Sequence, residues 1–236
     1  MMRLVYKFRH PKNNHLDKLC NISKKLYNQA NWYIRQDFFH LENWLHYQDL
    51  NFILKDTDHY KLLKAQTSQQ ILRTLDKNWK SFFISIKEWK LNRQKFKGRP
   101  RPPKYKQEEY NFLVFTNQNS KIENNSITLT MSKFFKDTFP EFKEPIEFVI
   151  PPYKNKAFQN FQQIRILPKK RFYEIEIVYE EPIKNPQLKR TRYFSIDFGV
   201  NNLITGVENR NSHPIIISGN INQSNMEQTK SKTLLD

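Results

Sequence analysis

Cysteine and glycine are scarce in this 236-residue chain, with one and four copies. The lone Cys20 excludes an intramolecular disulfide and any cysteine-built zinc ribbon within the chain. Glycine stands only at Gly98, Gly199, Gly206 and Gly219, so the sequence holds neither a GxxxxGK[ST] phosphate loop nor a GxGxxG dinucleotide fingerprint. The six histidines show no HExxH or comparable ligand spacing. No run approaches the ~20 apolar residues that cross a bilayer. The opening MMRLVYKFRHPKNNH has no apolar stretch with a small-residue cleavage site, so no membrane partner and a cytoplasmic, nucleoid-associated setting are expected. Acid is also short: 23 Asp and Glu face 40 Lys and Arg, leaving a formal charge of +17. Such an excess repels itself unless a polyanion neutralises it, and nucleic acid is the usual one. The 38% hydrophobic and 14% aromatic residues are enough to fold, and the length suits two small domains.

The periodicity predicts an α+β chain. Leu4, Tyr6 and Phe8 alternate with Arg3, Val5, Lys7 and Arg9, so residues 3–9 read as a strand that ends before Pro11 and Asn13-Asn14. From His15 to about Leu50 the step becomes three and four, through Leu16, Leu19, Ile22, Leu26, Ala30 and Tyr33, the stripe of an amphipathic helix. A second helix covers about Ser68 to Leu91, with Thr67 or Ser68 as its N-cap. Short strands follow at 112–116, 126–130, 146–150, 164–167 and 172–179; with the first strand they suggest a small barrel into which the helices are inserted. In the last of these, Tyr173, Ile175, Ile177 and Tyr179 form the inward set. Beyond the linker 182–192, YFSIDFGV and LITGV flank Asn201-Asn202 as a hairpin, and HPIIIS could be a third strand.

Residues 90–106, KLNRQKFKGRPRPPKYK, carry Lys90, Arg93, Lys95, Lys97, Arg99, Arg101, Lys104 and Lys106 and no acid. Gly98 and the prolines forbid a continuous helix or a central strand. Phe96 and Tyr105 sit among the cations, a mixture suited to phosphate contacts and to stacking on bases or sugars. These cations and Tyr105 are the candidate nucleic-acid-binding set, against the plainer reading of a solvated linker.

Asp197 ends an apolar stretch between Ile196 and Phe198, where a carboxylate needs a cation, hydrogen bonds or solvent. By itself it reads equally as a turn cap. In context, SIDFGVNNLITGV resembles the first RuvC motif of the RNase H-like nucleases. More specifically, the chain is similar to the TnpB (OrfB) family of transposon-encoded, RNA-guided DNA endonucleases, relatives of the type V CRISPR effectors. AQTSQQILRTLDKNWKSFF resembles that family's recognition-lobe helix and KGRPRPPKYK its basic proline-rich segment. NFLVFTNQNSKIENNSITL with RFYEIEIVYE resembles its wedge barrel; the resemblance spans most of residues 3–217. It implies a wedge barrel from 1–11 and 108–185, a helical recognition lobe at 12–107, and the first strands of an RNase H-like (RuvC) domain at 188–236. It also implies guide RNA and target DNA as partners, and Mg2+ as cofactor with Asp197 as catalytic residue and metal ligand.

RuvC cleavage uses three carboxylates to hold two Mg2+ ions about 3.5–4 Å apart. Only Asp197 matches that pattern. The family's later Glu, its zinc ribbon and its last Asp have no counterpart in this sequence. The expectation is therefore a truncated nuclease of the transposase-associated type that cannot cleave alone, unless a complementing C-terminal fragment joins it. The alternatives are a non-catalytic RNA- or DNA-binding module or regulator, and an unrelated basic RNA-binding protein.

Overall fold

A computed structural model describes residues 1–41, 43–152, 158, 160–183, 193–199, 202–209 and 213–218. The chain divides into two units, Met1–Ile183 and Lys184–Asp236.

The first unit opens with β1 (Met2–Pro11), whose alternation turns Phe8 inward. Asn13 then caps α1 (Asn14–His40), its side chain accepting from the backbone N–H groups of His15 at 2.8 Å and Leu16 at 3.2 Å. The expected helix to Leu50 breaks after His40. The N–H groups of Leu41 and Asn43 both turn back to the Asp37 carbonyl, and α2 (Tyr47–Leu54) starts afresh where Asp49 accepts from the His46 N–H. The one-turn α3 (Asp58–Lys61) leads to α4 (Ala65–Leu91).

Neither Thr67 nor Ser68 caps α4, contrary to the sequence expectation. The helix begins three residues earlier, at Ala65 behind Lys64, with no side-chain cap. Both hydroxyls are buried and used elsewhere: Ser68 donates to the Tyr60 carbonyl, and Thr67 accepts from the Asn119 amide at 2.8 Å. The apolar stripe of α4 packs on α1, with Trp79 fully buried beneath Phe38, Phe82 and Phe83.

The strands of this unit are β2 (Leu113–Thr116), β3 (Ser120–Glu123), β4 (Ser126–Leu129), β5 (Ile146–Val149), β6 (Phe161–Pro168) and β7 (Phe172–Glu181), with α5 (Lys133–Thr138) after β4. They form two open antiparallel sheets, in the orders β1-β7-β6-β2 and β3-β4-β5, and not the expected barrel. The reason lies at Asn117–Asn119. The Asn119 backbone bonds to Thr116 and Thr130 while its side chain is tied to Thr67 on α4, so the chain turns off the β2 ladder and begins a new sheet. Strand β3 and helix α5 were not expected from the sequence. Asn124 and Asn125, at φ 49° and 59°, make the tight turn between β3 and β4.

Strand β7 is the centre of the larger sheet, and Tyr173, Ile175 and Ile177 are fully buried as its alternation predicts. On its other face Glu176 is buried but paired with Lys7 at 2.5 Å and Arg165 at 3.4 Å. Arg3 and Glu180 add a cross-strand pair at 2.6 Å.

In the second unit, β8 (Phe194–Asp197), β9 (Asn202–Glu208) and β10 (Ile215–Ser218) form an antiparallel meander, β10-β9-β8. Phe198, Leu203 and Ile215 to Ile217 are exposed on it, Phe198 by 74%. Asn201 of the expected turn, Leu188 at the expected domain start, and the tail from Gly219 lie outside the described residues.

Candidate nucleic-acid interface

Helix α1 carries a row of polar side chains at Asn21, Asn28 and Arg35, seven residues apart and therefore on one face, with Asn31 beside it. This row fastens the end of the basic segment along the helix. The Arg35 guanidinium and the Asn31 amide both donate to the Pro103 carbonyl, at 2.9 and 3.2 Å. Asn28 accepts from the Lys106 N–H at 2.7 Å and donates to the Lys106 carbonyl at 3.0 Å, which is how a neighbouring strand would treat that residue. Asn21 donates to the Glu109 carbonyl, and Ser23 to that of Phe112 at 2.8 Å.

The two runs are antiparallel and match in length. Fourteen helical residues rise about 21 Å, and the six steps from Pro103 to Glu109 reach about 20 Å when extended. Residues 103–112 are thus a strap laid down the helix, its backbone met by asparagine side chains at Pro103, Lys106 and Glu109, by Ser23 at Phe112, and by the Cys20 carbonyl at the Asn111 N–H.

Lys104 and Lys106 lie on the strap itself, and Arg99 and Arg101 precede it. Arg99, Arg101 and Lys104 are exposed, and Tyr105 is 40% exposed with the Arg35 guanidinium 5.3 Å from its ring centre. Lys106 is half-buried with its ammonium 5.3 Å from the Tyr27 ring centre. Arg93 and Arg99 both lie over Trp89, at 4.8 and 5.9 Å. Lys90 and Lys97 are exposed. Among the described residues, Lys95 alone of the predicted set is spoken for by an acid, Glu88, at 3.2 Å; hydrogen bonds from Asn92 and Lys95 hold the Glu88 carboxyl below its ordinary value. The eight predicted cations and one aromatic therefore run from Lys90 in the last turn of α4 through the segment that returns along α1.

A groove of about 750 Å³ opens between the strap and α4. Arg101, Lys104 and Lys106 line one side, and Asn78, Ser81 and Phe82 of α4 the other, with Tyr27 at its base. Burial pushes the Tyr27 phenol up, partly offset by a long 3.5 Å contact from the Asn78 amide. Glu108 is the one acid among the residues of this wall.

Sequence reasoning missed Asn21, Asn28, Asn31, Arg35, Tyr27 and Asn78. The seven-residue spacing on α1 was the available signal, hidden because asparagine in a helix reads as a weak helix former and not as a fastening.

Asp197 belongs to the second unit. It is the last residue of β8, exposed, opposite Thr205 of β9, and the chain turns just after it where the Gly199 N–H donates to the Asn202 carbonyl at 3.0 Å. Among the described residues no three His, Cys, Asp or Glu side chains converge to hold a metal ion. One carboxylate does not fit a site for two hard cations that keep their waters.

No family model matches the sequence, and no curated protein matches it. Among solved structures, the chain is similar to a CRISPR-Cas12f ternary complex at 12% identity and a TM-score of 0.44, over 86% of this chain and 48% of that one. A Cas12f1–sgRNA–target DNA complex is similar at 12% identity and a TM-score of 0.37, over 93% of this chain and 57% of that one. The chain spans about half the length of these structures. At this identity and overlap the likeness is coarse. No helix among the described residues is long and apolar enough to cross a membrane.

Proposed function

We propose that the chain binds nucleic acid through the basic segment 90–106 and the strap that continues it. One observation carries the reading: α1 pins the backbone at Pro103 and Lys106, Lys104 and Tyr105 stand exposed between these points, and Arg99 and Arg101 are exposed just upstream, with no acid paired to these cations among the described residues. Cations on a fixed backbone meet phosphates without a large ordering cost, and an exposed tyrosine among them offers a stacking surface.

The finer proposal rests on the sequence resemblance over residues 3–217. It assigns a chain of the TnpB type of RNA-guided DNA endonuclease that cannot cleave alone, with the wedge at 1–11 and 108–185 and the recognition lobe at 12–107 gripping guide RNA and target DNA, and a RuvC-type region at 188–236 in which Asp197 is the one matched carboxylate of an incomplete Mg2+ site. The second reading is a non-catalytic RNA- or DNA-binding module, and the solitary carboxylate at 197 favours it.

Binding of labelled RNA and DNA oligonucleotides across a salt series tests the first proposal. Replacing Arg99, Arg101 and Lys104 together by Gln is expected to weaken binding and to flatten the log–log salt slope by roughly one unit for each phosphate no longer neutralised. Unchanged affinity and slope would mean that the segment does not touch nucleic acid. Guided cleavage in Mg2+ that Asp197→Ala abolishes would refute the non-catalytic reading.

A further inference from the structure

We infer that the groove between the strap and α4 is a subsite for one unpaired nucleotide, seating its base against Tyr105, Phe82 and Asn78 and its phosphate on Arg101 and Lys104. The inference rests on the nucleic-acid reading and adds to it a site, an orientation and a preference for unpaired over paired bases.

The volume, about 750 Å³, lies within the range of small-ligand sites, roughly 300–1,000 Å³, and suits a nucleotide and not a double helix. Its chemistry is divided as a nucleotide is. Arg101 and Lys104 approach from the strap and the residues just before it, while Asn78 presents an amide and Ser81, whose hydroxyl donates to the Lys77 carbonyl, an acceptor oxygen one turn on along α4, beside the ring of Phe82. An amide can pair with the hydrogen-bonding edge of a base, which is exposed only when the base is out of its stack.

Both walls are built. The strap is held at Pro103 and Lys106 on either side of Lys104 and Tyr105 by Asn31, Arg35 and Asn28. The opposite wall is a regular helix whose Trp79 is anchored to Asn31 at 3.0 Å. Little has to be ordered when a ligand arrives. Glu108 at the rim opposes phosphate there, which puts the phosphate at the Arg101 and Lys104 side and the base deeper along α4.

The test uses the full chain and three labelled hairpins of one sequence, made in RNA and in DNA: fully paired, with a single-nucleotide bulge, and with an abasic bulge. The bulged hairpin is expected to bind roughly tenfold tighter than the other two, in line with stacking and edge contacts to one base. Asn78→Ala, and separately Ser81→Trp, which fills the groove from the exposed face of α4, should each reduce that ratio to about one, with thermal midpoints recorded to confirm folding. Equal binding of bulged, abasic and paired hairpins, or a preference that survives both variants, overturns the subsite. If the preference appears with only one of RNA and DNA, the subsite stands and that sugar is assigned. If no hairpin binds at any salt concentration, the nucleic-acid reading itself falls, and the subsite with it.

Discussion

Asn31 is fully buried and uses its side-chain amide at both ends, accepting from the Trp79 indole and donating to the Pro103 carbonyl. Pro103 would keep a donor without it, because Arg35 reaches the same oxygen. The Trp79 N–H would not. Asn31→Ala should therefore cost about 1–3 kcal/mol, the penalty for one orphaned buried donor, read as a lower denaturation midpoint at constant m-value. His15 gives a pH-dependent counterpart. Its ring stacks on Phe135 and Phe142, its Nε2 has no hydrogen-bond partner among the described residues, and burial lowers its pKa below the ordinary histidine value. Burial lowers His10 and His59 in the same direction. A histidine held neutral in the fold binds fewer protons there than in the unfolded chain, so its contribution is intact above the unfolded value of about 6.5. Stability should fall as the pH drops below that, by at most ~1.4 kcal/mol per pH unit for each histidine. A melting series from pH 7.5 to 5, with His15→Gln showing a shallower decline, checks the sign. Cys20 is inert by the same physics: burial, with Asp17 nearby, pushes its thiol up, away from the reactive thiolate.

At the scale of elements, the strands and helices whose apolar period is unbroken were legible. The strands β1 and β7 show in their alternation, though not their pairing or register, and α4 in its stripe through Ile71, Leu72, Leu75 and Trp79. What failed has a local cause in each case. The break between α1 and α2 leaves the apolar spacing intact, since Trp44 packs on Phe83 from a non-helical stretch, so a period count runs straight through it. Thr67 and Ser68 have the residue types of an N-cap but are committed to tertiary partners. The open sheets were misread as a barrel because closure depends on which edges pair, and Asn119 decides that through a bond to a residue 52 positions away. The basic segment was legible as a cationic stretch from composition alone. Its fixed shape was not, because that shape is supplied by α1 and not by the segment.

At the scale of the whole molecule, the two units differ in how they bury apolar surface. The first has a continuous core running from α1 and α4 to the faces of both sheets. In the second, Phe194, Ile196, Leu203, Val207 and Ile215 to Ile217 are all exposed, and the Phe194 ring lies over Gly206 where a Cβ would stand. A three-stranded meander with so little covered surface is marginal by itself. Amide hydrogen exchange should therefore proceed faster across β8, β9 and β10 than across α4, by orders of magnitude under native conditions; equal protection would contradict this. The fastened strap carries a consequence of its own for a chain so rich in Lys and Arg. Trypsin cuts after such residues but poorly before proline, which spares the Arg99–Pro100 and Arg101–Pro102 bonds, and a protease must draw its substrate into an extended, unbonded form, which Asn28 denies to Lys106. Brief digestion should nick the segment first at Lys97–Gly98, where the glycine faces open space, and leave Gly98 through Glu109 attached to the body as a single fragment end, because Lys104–Tyr105 is held between the fastened Pro103 and Lys106.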